Sequence, residues 1–299
     1  MYTYKKEDLL KPINEILQRN LSKEAWIWLT EKSAQIAGNN SAALFMAFTS
    51  APRNTGKSLL LFDRADQEKI SLSVPGFNLS GYTADRLTRL SLLLNWPHKD
   101  KEVYLKTIKQ LFKAAEMNEL VALYGALPLL AYPEDWIEQC KEGIRSNIGS
   151  VLEAIICDNP YPGQYLPEPA WNQLVLRAFF TAKAIDKIQG LDRRSNKTLA
   201  DTLSDYAHER WAAYRSFDLQ LWRVVAGFID ERIYPDIRKV FQEGNEHEKE
   251  AAALACAQSD YLPAKGLLDE VPLLRSAIEK NELNWESLAN AIKADAGMS

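Results

Sequence analysis

Apolar residues recur along this chain at three- and four-residue intervals, the spacing of one face of an α-helix. From Glu168 onward, Trp171, Leu174, Val175, Ala178, Phe179 and Ala182 share such a face. Tyr104, Ile108, Leu111, Phe112 and Ala115 repeat the pattern after Lys101, and Leu199, Leu203, Tyr206 and Ala207 repeat it again. Start and stop signals separate the segments: Ser22 before KEAW, Gly38-Asn39-Asn40, Asn95-Trp96-Pro97, and Asn196 before KTLAD. Alternating β-branched runs are missing, so the pattern predicts an all-α chain with essentially no sheet.

Two stretches are apolar on more than one face, Ala25 to Leu29 and Glu119 to Tyr132. Such helices need cover on both sides, as in a layered stack. The alanine-rich run from Lys249 to Leu268 reads as a helix, a short polar break and a second helix, where small side chains let two backbones approach. The expected architecture is a set of stacked helical hairpins of the HEAT or armadillo kind, with an irregular helical bundle as the alternative. One domain spanning 1–299 is expected. Asp158 to Pro169, DNPYPGQYLPEP, interrupts the rhythm with four prolines. Proline removes backbone donors and disfavours helix before it, so this segment reads as a stiff extended connection. It is either a functional loop or a crossover, and if the chain forms two lobes they meet there.

Composition changes this picture little. Apolar residues make up 46% and charged residues 25% of the 299, ordinary for a folded protein. The net charge of −4 is small and positive charge is not blocked in runs, so no nucleic-acid partner is expected. The longest apolar stretches, such as Ser41 to Thr49, are too short to span a bilayer. No apolar core of signal-peptide length follows Met1. Cys140, Cys157 and Cys256 are scattered and form no C-x-x-C pair, which suggests buried thiols in a reducing, cytoplasmic setting.

Candidate chemistry is mostly excluded by context. Ala51 to Ser58, APRNTGKS, resembles a relaxed phosphate loop, but the residues before it look helical and Pro52 removes a donor. Arg53 and Lys57 remain anion-binding candidates. His98, His208 and His247 are isolated, no paired Glu-x-x-His motif exists, and no metal or other cofactor is expected. The carboxylates of DERIYPD, Asp230 to Asp236, are too interrupted for an Asp-rich magnesium motif. The richest polar tract runs from Trp171 to Arg223. There Asn172, Arg177, Arg193, Asn196, Tyr206, Glu209, Arg210 and Arg215 are interleaved with aromatic residues. It reads as a salt-bridge network clamping adjacent helices, or else as a polar pocket for an anionic or aromatic ligand.

Several tracts together resemble the EboA-domain family: WNQLVLRAFF, GLDRRSNKTLADTLSDYAHERWAAYRS, LWRVVAGF, APRNTGK, and PGFNLSGYTADRLTRLSLLL with Asp85 and Arg89. The resemblance covers roughly residue 40 to the C-terminus. It departs from the family pattern at Tyr214, where a glycine is usual. The resemblance implies a product of the bacterial ebo gene cluster, working beside other cluster proteins on secondary-metabolite precursors. The expected role is a non-enzymatic scaffold or adaptor in their processing or export. The alternative is a carrier or enzyme for a hydrophobic, isoprenoid-like or aromatic metabolite, whose cavity the eight tryptophans would suit. Arg53, Lys57, Asp85 and Arg89 form a second candidate set beside the polar tract.

Overall fold

Helices account for the regular structure in a computed structural model of the chain, which describes residues 1–297. Among the described residues nineteen α-helices and five short 3-10 turns follow one another, and β-type pairing is confined to isolated bridges such as that between Leu59 and Thr83. The fold is all-α and built of helical hairpins. The chain divides into two compact units, the first ending at Pro167 and the second beginning at Glu168. No described helix is long and apolar enough to cross a membrane.

The first unit contains α1 (Lys6–Asn20), α2 (Lys23–Ala37), α3 (Ser41–Thr55), α4 (Arg64–Ser73), α5 (Ala84–Asn95), α6 (Lys101–Ala114), α7 (Met117–Gly125), α8 (Ile137–Arg145), α9 (Gly149–Ile156) and α10 (Tyr161–Tyr165). Short polar breaks place their boundaries. Ser22 caps α2 by accepting from the Ala25 amide, and Asn40 caps α3 by accepting from Ala43. Helix α5 is the centre, with α1, α2, α3 and α7 packed on it and every residue from Leu87 to Leu94 buried. Helix α8 meets its neighbours closely because Gly143 has no side chain. A Cβ there would lie 2.4 Å from a Tyr124 ring carbon and 2.6 Å from Ile155 Cδ1.

The second unit contains α11 (Glu168–Phe180), α12 (Leu191–Arg194), α13 (Lys197–Ala212), α14 (Gln220–Val225), α15 (Tyr234–Glu243), α16 (Glu246–Gln258), α17 (Leu262–Leu267), α18 (Pro272–Glu279) and α19 (Trp285–Asp295). Its centre is α16, against which α14, α15, α17, α18 and α19 pack. Ala251 to Cys256 are all buried, so alanine replaces bulk on a helix touched from several sides. Larger side chains there would overpack the core, at a cost of roughly 1–3 kcal/mol each.

Several local expectations are corrected. The apolar run from Glu119 is not one helix: α7 ends at Gly125, Pro128 sits in a 3-10 turn, and Tyr132 is left-handed at φ 58°. A proline inside a continuing helix would clash with the preceding turn, so the chain breaks there. Helix α2 is not covered all round, since Ile27 is exposed and Trp26 and Trp28 are half-buried. Helix α11 stops at Phe180, and Ala182 is left-handed rather than helical. The proline-rich stretch is not simply extended. It contains α10, and buried Asn159 donates to the carbonyls of Tyr124 and Ala154 while accepting from the Tyr161 amide.

Trp96, Trp136, Trp171 and Trp222 are among the largest fully buried side chains, so half of the tryptophans fill core rather than line a cavity. Cys140 and Cys256 are buried, and burial pushes both thiols up, Cys256 to about 12. Cys157 is half-buried, and none of the three forms a disulfide.

Candidate functional site

The polar tract of the second unit folds into a belt of paired groups around α13. Asn196 opens that helix, its side chain accepting from the Leu199 amide at 3.0 Å. The same side chain exchanges two amide hydrogen bonds with Asn172, at 2.8 and 3.2 Å, and so ties α11 to the start of α13. Further along, Lys197 meets Asp201 and Asp230, each at 2.7 Å. Hydrogen bonds to those two carboxylates raise the Lys197 pKa, and the Lys197 contact holds Asp230 below the usual carboxylate range. Arg232 reaches Asp205 at 2.6 Å and Asp201 at 3.3 Å. Arg223 grips both oxygens of Asp192 at 2.5 Å, a two-pronged bond that joins α14 to α12.

A tighter cluster lies where α13 faces α15. Asp236 is buried in the first turn of α15, behind Pro235. Ser204 donates to one of its oxygens at 2.8 Å, and His208 Nε2 lies 2.6 Å from the other. Ser204 and His208 are four residues apart on α13, so one helix face supplies both partners. Spacing alone marks that shared face, but nothing local in the sequence says that a residue almost thirty positions away would dock on it.

At the C-terminal end of α13 Arg210 turns away from the neighbouring Glu209. The Arg210 guanidinium donates twice to the Ser216 carbonyl, at 2.9 and 2.6 Å, and Glu209 is exposed. The cause is a tight turn. Tyr214 is left-handed at φ 53°, the Arg215 amide bonds back to the Arg210 carbonyl, and the chain folds over the end of the helix. Aromatic rings border this end. Phe180, 60% exposed, packs at a tilt against Tyr206 with ring centres 5.1 Å apart, and Arg210 lies 5.9 Å from the Tyr206 ring centre. Tyr214 is 99% exposed, and Arg215 beside it is exposed as well.

Residues 9–226 match the family model described as metabolite traffic protein EboA. The chain belongs to the EboA family. The matched span begins within α1, well before residue 40, runs through α14 and stops short of α15. Neither a curated protein nor a solved structure matches the chain. The left-handed turn at Tyr214 is a position that glycine would take without a Cβ clash.

The remaining sequence candidates are distributed over both units. Arg177 is half-buried on α11 and Arg193 is exposed on α12. In the first unit, Asp85 and Arg89 form a buried ion pair at 2.7 Å, with side chains 7% and 3% exposed. Thr83 donates to the other Asp85 oxygen at 2.7 Å, and Arg89 Nε donates to the Phe48 carbonyl at 3.0 Å, stitching α5 to α3. Arg53 and Lys57, by contrast, are exposed. Ala51 to Thr55 form the last turn of α3, ended by Gly56 at φ 74°. A phosphate loop needs a strand, a glycine-rich turn and a helix, and this tract has the reverse order, helix into extended chain.

Among the open clefts of the second unit is one of about 630 Å³. Ala184, Phe217, Leu219, Ala289 and Ile292 give it apolar walls, and the Asp186–Lys293 ion pair at 2.5 Å is among its polar groups. Asn245, His247, Glu248, Ala289, Ile292 and Lys293 of its lining lie beyond residue 226, outside the span matched to the EboA family. Among the described residues no three His, Cys, Asp or Glu side chains are grouped to hold a metal ion.

Proposed function

We propose that this protein is a non-enzymatic adaptor in cytoplasmic metabolite traffic, and that it docks another product of the ebo gene cluster through the end of α13. The observation that carries this reading is the exposed aromatic edge of Phe180 and Tyr214, set beside Arg210 and Arg215. Tyrosine, phenylalanine and arginine supply large contact area with a polar tip, which suits a protein interface. The belt behind the edge supports the same reading from the other side. Its carboxylates and bases face one another across helices, where they rigidify the surface that presents the edge. Titrating the purified chain with each cluster protein tests it. One of them should bind, and Phe180→Ser or Arg215→Glu should weaken that complex at least about tenfold with folding intact. Binding to none of them, or equal binding by the variants, contradicts the reading.

A second reading rests on the apolar walls of the open cleft, whose volume suits a small hydrophobic metabolite. The chain would then carry the molecule that the pathway moves. Nile red offers a simple probe: it should brighten with the wild-type chain and much less with Ile292→Asp. No brightening, or an unchanged response in the variant, removes this reading.

A further inference from the structure

The motif that imitates a phosphate loop leaves a feature that neither reading above uses. From Lys32 to Phe62 the sequence holds no aspartate or glutamate, in a chain with 40 of them. Within that span α3 ends at Thr55 and the chain runs extended toward α4 at Arg64. The Leu60 amide donates to the Tyr82 carbonyl and the Ala84 amide donates to the Ser58 carbonyl, which pins this segment beside Thr83. Extended chain alternates its side chains between two faces. Leu60 accordingly points inward and is buried, while Lys57, Leu59 and Leu61 point outward. Leu59 is 69% exposed and Leu61 is 81% exposed. Arg53, on the last turn of α3, is exposed beside them in sequence, and neither it nor Lys57 has a carboxylate partner among the described residues.

We propose that the Lys57–Leu59–Leu61 ridge, with Arg53, docks the first unit on an anionic lipid surface. The leucines enter the boundary between headgroups and acyl chains, and the two cations meet lipid phosphates. Charge decides the occupant: aliphatic side chains preceded by two cations, with no acid from Lys32 until Asp63 at the far end of the ridge, complement a negatively charged bilayer. A strand-forming peptide is the competing occupant, and the backbone disfavours it. Both backbone groups of Leu61 are already bonded to the Asn20 side chain, at 2.7 and 2.8 Å, so the edge such a peptide would pair with is closed there. The same bonds hold the ridge in place without the lipid, so little order has to be gained on docking. This surface lies in the first unit and is independent of the α13 edge.

Co-sedimentation of the full chain with vesicles tests the proposal. One set is pure phosphatidylcholine; the other has a third of it replaced by phosphatidylglycerol. The chain is expected to sediment with the anionic vesicles and to stay in solution with the neutral ones, with binding weakened by added salt. Leu59→Ser and Leu61→Ser should each lower partitioning by roughly tenfold. Arg53→Glu/Lys57→Glu should abolish the preference for anionic lipid. All four sites are exposed, and unchanged melting curves establish that the variants fold. No binding of the wild-type chain to anionic vesicles overturns the proposal, as do variants that bind like wild type. A protein complex lost in the same variants, without any vesicle binding, assigns the ridge to a protein partner and overturns it equally.

Discussion

Each unit has an arginine–aspartate pair holding helices together, and the two pairs differ mainly in how much water reaches them. In the first unit Asp85–Arg89 is buried inside the α5 packing, with Thr83 and the Phe48 carbonyl as further partners. In the second unit Asp192–Arg223 has the better two-pronged geometry, yet its carboxylate is largely exposed. A buried charge left without its partner cannot turn to solvent, whereas an exposed one can. The energetic weight of such pairs therefore follows burial, not bond length. The first pair fixes the core of its unit; the second only trims the surface of its own.

The comparison breaks most sharply at Arg89. Arg89→Leu strands the Asp85 carboxylate and should cost about 3–5 kcal/mol in a urea melt, while Asp85→Leu/Arg89→Met should recover much of that loss. A single-variant cost under about 1 kcal/mol would mean that water reaches the site. Next in size is Tyr214→Gly, which relieves a left-handed tyrosine and should stabilise the second unit by about 1 kcal/mol. Loss of stability there would mean that the exposed ring makes contacts of its own. Asp192→Ala should cost roughly 0.5–1 kcal/mol, shrinking as salt is added.

Smaller again is a pH effect at His247, which sits 2.9 Å from both Glu250 and Asp295. Hydrogen bonds to those two carboxylates raise its pKa above the ordinary 6.5. The stabilisation is therefore complete below about pH 6.5 and is lost as pH rises through the raised folded-state value. His247→Gln should flatten that part of the stability profile, and a profile that keeps its slope would assign the effect elsewhere. Smallest is Glu209→Ala, expected to change stability by less than about 0.5 kcal/mol because Glu209 is exposed and Arg210 is bonded to Ser216 instead.

Caps and periodicity carried most of the fold. Ser22, Asn40 and Asn196 each cap the helix expected after them, and the break between α16 and α17 falls within the alanine-rich run, at Ser259 to Tyr261. Those signals are local, so a sequence displays them directly. What failed was inference from local crowding. The run AWIWL suggested cover on all sides, but only tertiary neighbours decide which face of α2 is left open. The polar tract was visible as arginines, carboxylates and aromatics, but its partners were not. Asp236 joins Ser204 and His208 across the chain, and Arg210 turns to a carbonyl that the Tyr214 turn brings back within reach. Pairing of this kind depends on how helices pack, which residue spacing does not encode.

The most direct test of the account separates belt from edge. Stability and partner affinity would be measured side by side for Arg223→Met, a belt residue, and Phe180→Ser, an edge residue, each titrated with the cluster protein that binds wild type. Arg223→Met should lower the melting temperature and leave Kd near wild type, while Phe180→Ser should raise Kd at least about tenfold with little change in melting. The opposite assignment, with affinity lost at Arg223 and only stability lost at Phe180, would contradict this reading and make the paired belt the binding surface.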